Sequence, residues 1–375
     1  MSIGTAGNGP TGSLSTTQPY DNLMLTPGIL GTVGPLQPLT EGAVNGLNAE
    51  TPSSGMANSI RAADASSRPI VVSGHGINGA LYSEIKRGGT QAAYANGQTQ
   101  ALAAKTAVQA RGGVYRPLAV TVIHGEGDST SNASFYQGYL QEWQANYQQD
   151  LNTLSGATGA LPMFISQMNA SNFGDLAQSQ YQAHLANTGK IVLVGPKYQY
   201  AYSPDHLHMT QISYKHHGEM FGKVIKKVAI DNTPWQPLRP TGASRSGNRI
   251  TLSFLIPVGT LNLDTTTVAQ RQNYGFEFVQ TGGNSVSISN VTLSADKTQV
   301  YIDLSATPSG SNPRVRYAWT CNDTITLPVE ACANAATANA VGGNIRDSDT
   351  SVSAAIGGTG LPLYNWLITF EQSVN

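Results

Sequence analysis

The chain has 375 residues, 21 Lys+Arg against 22 Asp+Glu, and a formal net charge of −1. Charged residues make up 11%, well below the roughly one quarter typical of soluble domains. With no Lys/Arg run to neutralise phosphates, the composition argues against a nucleic-acid or anionic-membrane surface, and no stretch reaches the ~20 apolar residues of a membrane-spanning helix.

Polarity comes instead from 40 glycines and from hydroxyl and amide side chains. That surface suits an extracellular or virion-associated protein handling neutral or sugar ligands. The length allows two or three domains with cores of their own. Met1–Asn8 has neither the basic nor the apolar region of a secretory leader. For the two cysteines, Cys321 and Cys332, a small disulfide loop and a pair of buried apolar side chains are both open.

Residues 1–69 read mostly as loop, rich in Gly, Pro, Ser and Thr. Asn22–Leu25 is a short strand or buried turn, and Ser59–Ala65 a helix. Pro69–Ser73 is an apolar β-branched run, expected to be a buried parallel strand, and Gly74–Gly79 is the glycine-rich loop after it. A helix over Tyr94–Ala110 and a strand over Leu118–Ile123 lead into His124-Gly125-Glu126-Gly127-Asp128. Tyr136, Leu140, Trp143, Tyr147, Leu151 and Leu154 recur at steps of three and four, one apolar helical stripe. Strand Leu161–Ser166, helix Leu176–Ala186, strand Ile191–Val194, a loop containing Ser203–His208 and a closing helix Thr210–Ile230 follow. Lys223, Lys226 and Lys227 read as the solvated face of that helix. Strands alternating with helices predict a parallel sheet in a three-layer α/β domain.

Past Trp235–Pro240 the pattern shortens to period two. The alternating runs are Ile250/Leu252/Phe254/Ile256, Val286/Ile288/Val291, Val300/Ile302/Leu304 and Val315/Tyr317/Trp319, with a strand-like Trp366–Phe370 at the end. This predicts an antiparallel β-sandwich. The expected division is 1–238 and 239–375.

Three loops sit at expected strand ends. In the first, Asp205 precedes His208 by three residues. At that spacing a carboxylate can hold one imidazole nitrogen while the other faces a reacting hydroxyl, making His208 a general base and then acid. In the second, the glycines allow close backbone approach at the strand end, which makes His124, Gly125 and Glu126 candidate oxyanion or substrate-binding residues beside Gly79. The plain alternative is a turn in which Asp128 or Ser129 caps the next helix. In the third, Gly76-Ile77-Asn78-Gly79 offers an amide donor or is a simple turn. The histidines 75, 124, 206, 208, 216 and 217 with Asp128 and Asp205 match no metal-ligand motif, so no metal or cofactor is expected.

Taken together, Gly76-Ile77-Asn78-Gly79, His124-Gly125-Glu126-Gly127-Asp128 and Asp205-His206-Leu207-His208 resemble the SGNH-hydrolase superfamily over roughly residues 15–240. The likeness is to the branch of sialate O-acetylesterase-like carbohydrate esterases. It implies a flavodoxin-like sheet, a Ser-His-Asp triad using Asp205 and His208, and oxyanion donors at Gly79 and His124, where the branch usually has Gln. In its first block the branch carries a strand ending in Gly-Gln-Ser. Here Met1-Ser2-Ile3-Gly4 matches only the part after the serine, so the resemblance places the nucleophile just ahead of Met1, with Ser2 the in-chain candidate. Ser13 in Gly12-Ser13-Leu14 has no strand ahead of it. The residues 273–276 and 343–348 resemble the β-sandwich attached to some of these esterases.

The implied activity is serine-esterase removal of O-acetyl groups from a polysaccharide. The alternative is a non-catalytic carbohydrate-binding or adhesion protein, for example of a phage tail, that keeps the fold. Oligomeric state is left open.

Overall fold

The computed structural model describes residues 13–44, 47–64, 68–128, 132–169, 174–204, 207–321 and 341–375. Ser2, Asp205, His206, Ser129 and Cys332 lie outside that set. The chain begins with short antiparallel pairs. β1 (Leu23–Leu25) pairs with β2 (Leu36–Pro38), and β3 (Ala43–Val44) with β4 (Leu47–Asn48). Helix α1 (Pro52–Ala63) starts well before the expected Ser59. The start signal is Thr51-Pro52: the Thr51 side chain accepts from the Ser53 amide, and proline sits in the first turn, where its missing N–H costs nothing.

Short helix α2 (Tyr82–Ile85) and α3 (Ala93–Ala110) precede β5 (Val120–Val122). Then come α4 (Ala133–Ser155), β6 (Met163–Ser166), α5 (Gly174–Ala186), β7 (Ile191–Gly195) and α6 (Gln211–Ile225). α6 is capped by the Thr210 side chain and runs on into a π turn, Lys226–Ile230.

β5, β6 and β7 form a parallel sheet in that order. Side chains alternate across a strand. Met163, Ile165, Ile191 and Leu193 therefore pack with the α4 stripe of Tyr136, Leu140, Trp143 and Tyr147. Phe164, Val192 and Val194 pack on the other face with Phe221, Val224 and Ile225 of α6. α1 lies against α6 at very close range. A Cβ on Gly55 would come within 2.2 Å of the Lys215 carbonyl oxygen, and one on Gly218 within 2.1 Å of that of Pro52.

The run at Pro69–Ser73 makes one parallel bridge, Val71 with Leu23, rather than a full strand of the main sheet. Among the described residues the outer edge of β5 pairs with no strand. Val120 and Thr121 are only half-buried, whereas all four residues of β6 are buried. Ile70 packs into the same cluster as Ile123 and Ala119.

The second half is antiparallel. β8 (Arg239–Ser246), β9 (Arg249–Leu255), β12 (Ile288–Leu293) and β13 (Gln299–Leu304) make a sheet ordered β12-β13-β9-β8. β10 (Leu261–Leu263) pairs with β15 (Ile345–Asp347). β11 (Phe276–Thr281), β14 (Ser311–Tyr317) and β16 (Phe370–Ser373) make a further sheet ordered β11-β14-β16. Ile250, Leu252 and Ile302 of the first sheet and Phe276, Val315 and Phe370 of the last belong to one buried cluster.

Two further expectations change. Most of Trp366–Phe370 is not strand, because its backbone is spent on other segments. The Leu367 amide donates to the Ile345 carbonyl, the Ile368 amide to that of Leu238, and the Thr369 amide to Gln167 Oε1. Lys223 is not part of a solvated face either. Its ammonium is drawn inward to Asp349 Oδ2 at 2.7 Å, the Leu363 carbonyl at 2.6 Å and Asn365 Oδ1 at 3.0 Å. Cys321 is disulfide-bonded.

Candidate active site

Parallel strands deliver the segments that follow them to one rim, beyond their carboxyl ends. After β5 the chain makes a tight turn, residues 124–128. Gly125 sits at φ +146°, with Leu176 Cδ2 only 2.8 Å from where a Cβ would stand. At Gly127 a Cβ would lie 2.6 Å from the Ala80 carbonyl oxygen and 2.8 Å from that of Gly79. The bare backbone at Gly127 is what lets the Gly79–Ala80 loop rest directly on this turn.

Asp128 fastens the contact. Its Oδ2 accepts from the Tyr82 amide at 2.9 Å and its Oδ1 from Asn132 Nδ2 at 3.1 Å. It therefore caps α2, across the chain. Burial raises its pKa, against the lowering pull of the Tyr82 amide.

His124 is 3% exposed and both ring nitrogens are engaged. Nε2 donates to the Ala80 carbonyl at 3.1 Å, which leaves Nδ1 to accept from the Tyr136 hydroxyl at 2.6 Å. Burial pushes the imidazole down to about 3, so the ring is neutral at pH 7. Its 3.6 Å approach to Asp128 Oδ2 is then a dipolar contact, not an ion pair. The ring's one N–H is thus engaged by the Ala80 carbonyl rather than turned toward the rim.

Gly79 has φ +67°, is exposed, and has nothing within 4 Å of where a Cβ would stand. The space on its Cα side is open, while its carbonyl faces the turn at Gly127. His75, earlier in the same loop, is spent on structure. Its ring lies 2.7 Å from the Tyr147 hydroxyl and 3.2 Å from Gln100 Oε1, and burial lowers its pKa to about 4.

Glu126 crosses the rim. Its Oε1 lies 2.6 Å from Lys197 Nζ, just beyond β7. Burial opposes ionisation of Glu126, but the Lys197 ammonium overrides it and holds the carboxyl down at about 2. The Lys197 carbonyl in turn accepts from the Tyr200 amide and the Tyr202 hydroxyl, both at 3.2 Å. These start a hairpin-like loop in which Tyr202 bridges Met209, the Ser203 amide donates to the His208 carbonyl at 2.7 Å, and the Thr210 amide donates to that of Ala201 at 3.0 Å.

His208 is half-buried in that loop. Asp205 and Ser2 lie outside the described residues, so the geometry bears on His208 and on the donors. Gly79, His124, Gly125 and Glu126 form one contiguous cluster with Asp128 and Lys197. The His208 loop grows from the far side of it. His216 and His217 belong elsewhere: His216 Nε2 lies 3.0 Å from the Pro362 carbonyl, and buried His217 packs between Tyr200 and Phe221.

Lys197 and Tyr202 at the rim, and Tyr136 in the core beneath it, were given no part in the site by sequence reasoning. A lone lysine directly after a buried apolar strand and a proline was the available signal for the first. Tyr136 was legible only as one member of a helical stripe.

No protein-family model matches the chain, and no curated protein sequence matches it. Solved structures do resemble it. A carbohydrate acetylesterase from Xanthomonas citri superposes with a TM-score of 0.59 at 14% identity, over 94% of this chain and 72% of that one. The mixed α/β fold, with its parallel sheet and separate antiparallel sheets, is thus similar to that of an esterase. An Arabidopsis thaliana protein matches over 56% of this chain and 82% of its own, at 16% identity and a TM-score of 0.44, too loose to bear on the fold.

Proposed function

We propose that this chain is a carbohydrate O-acetylesterase of the SGNH type, acting on an acetylated polysaccharide outside the cell or on a virion. In this reading a serine hydroxyl attacks the ester carbonyl and His208 takes its proton. Asp205 fixes the imidazole tautomer, and the Gly79 amide stabilises the oxyanion. His208 then protonates the departing sugar oxygen, and water resolves the acetyl-enzyme. We read the antiparallel sheets of the second half as a β-sandwich packed on the esterase half.

The observation that carries this reading is the likeness of fold to a carbohydrate acetylesterase. What supports it locally is the gathering of the Gly79 loop, the 124–128 turn and the His208 loop on one rim. The test is hydrolysis of p-nitrophenyl acetate by the intact protein, with His208→Ala alongside. The expected loss is about a thousandfold or more. A fluorophosphonate probe should label one serine, which mass spectrometry then identifies. Equal turnover by the two proteins rejects the assignment.

One observation favours a non-catalytic sugar-binding protein instead: the His124 ring has no free donor. Retention on acetylated xylan without hydrolysis would select that reading.

A further inference from the structure

An ion pair, Glu126 with Lys197, joins the turn after β5 to the segment after β7. The lysine side chain is 7% exposed and the glutamate 30%. Lys197 is held from two directions. Its ammonium reaches Glu126, on the same five-residue turn that carries His124 and seats the Gly79–Ala80 loop. Its carbonyl accepts from Tyr200 and Tyr202, at the root of the loop whose rungs are Ser203–His208 and Ala201–Thr210. One residue thus ties the root of the His208 loop to the oxyanion side of the rim.

We infer that the Glu126–Lys197 pair is a latch that sets where the His208 loop stands relative to the Gly79 amide. Both are positioning residues. Neither is asked to touch substrate, and Glu126 is thereby removed from the substrate-binding role that the sequence suggested for it. The catalytic consequence rests on the esterase reading above; the structural one does not. The physical reason is placement. A donor and a base on two separate loops cooperate only if their spacing is held within about half an ångström. A short, largely buried ion pair between the loops is a direct means of holding it.

The test uses the intact protein with Lys197→Met, Glu126→Gln and the exchanged pair Glu126→Lys/Lys197→Glu. Three readouts are taken: kcat and KM on p-nitrophenyl acetate, the thermal midpoint, and amide exchange at Ser203 and Thr210. Each single variant should lose tenfold or more in kcat with KM changed less than threefold. Exchange at both amides should quicken at least tenfold. The exchanged pair should recover most of both losses. A Glu126→Gln loss that Lys197→Met does not share, or an exchanged pair as impaired as the singles, overturns the latch and returns Glu126 to direct contact with substrate. If the unaltered protein hydrolyses no ester, the esterase reading falls, and exchange alone judges the latch. Unchanged exchange in Lys197→Met, with the protein folded by its thermal midpoint, overturns it.

Discussion

The Tyr136 hydroxyl donates to His124 Nδ1 at 2.6 Å, inside the core and beneath the turn that carries Glu126. Both rings are buried, nearly coplanar in orientation, and 5.9 Å apart between centroids. The Ala80 carbonyl can only accept, so Nε2 carries the proton and Nδ1 is left to accept from Tyr136. Removing the hydroxyl leaves Nδ1 without a donor in an apolar setting. Tyr136→Phe should destabilise the protein by about 1–3 kcal/mol, seen as a lower denaturant midpoint at unchanged m-value. A neutral effect would mean that Nδ1 finds water there.

Close approach at Gly127 makes a second case. Gly127→Ala places a methyl group 2.6 Å from the Ala80 carbonyl oxygen, against backbone that cannot swing aside like a side chain. The loop carrying Gly79 must lift. The expected cost is about 1–3 kcal/mol of stability and, on the proposed esterase reading, a larger proportional loss of turnover than of folded protein. Turnover per folded molecule equal to that of the unaltered chain would count against Gly79 as a donor.

Away from the rim, Glu41 and Glu50 are both buried. Burial first, and then the charge of Glu50, raise the Glu41 carboxyl from 4.5 to about 8. In the unfolded chain Glu41 ionises near 4.5, so across this range the folded protein binds the extra proton. Its contribution is fully present below pH 4.5 and is lost as pH rises through about 8. Glu41→Gln can still accept from Thr51 and the Ser54 amide, as Glu41 Oε1 does. The variant should match the unaltered protein near pH 4.5 and exceed it above pH 8 by an amount on the order of a few kcal/mol, read from urea titrations at the two pH values. Parallel stability curves would rule out ionisation at this site.

Gln167 joins the two halves of the chain. From the end of β6 its Oε1 accepts from the Thr369 amide and its Nε2 donates to the Thr369 carbonyl, both at 2.8 Å. Tyr198 to the Leu367 carbonyl, Gln178 to Glu371, and Lys223 to Asp349 add to the seam. Gln167→Leu would strand a buried amide and carbonyl, at a cost of roughly 2–4 kcal/mol. Because the seam is buried on both sides, calorimetry should show one cooperative unfolding transition, in the variant as in the unaltered chain. Two separate transitions would show that the halves fold independently.

Much of this was legible from the sequence alone. Periodicity located α4, because one stripe from Tyr136 to Leu151 had to face an interior. Short apolar runs located β6 and β7, because a strand covered on both faces has no polar side to alternate. The Gly-Glu-Gly turn and the His208 loop were found for the same reason: in a parallel sheet the segments after the strands share a rim. What tertiary structure decided was the use of groups whose chemistry is ambiguous in one dimension. His124 could donate to a ligand or to a carbonyl, and the nearness of Ala80 and Tyr136 chose the carbonyl. Lys223 could face water or a carboxylate, and Asp349, 126 residues away, chose the carboxylate. Lys197 gave almost no local signal, since a single charge acquires a role only from what folds against it. Short-range pattern dictates which face of an element is buried; partners far apart in the chain dictate what a buried polar group is for.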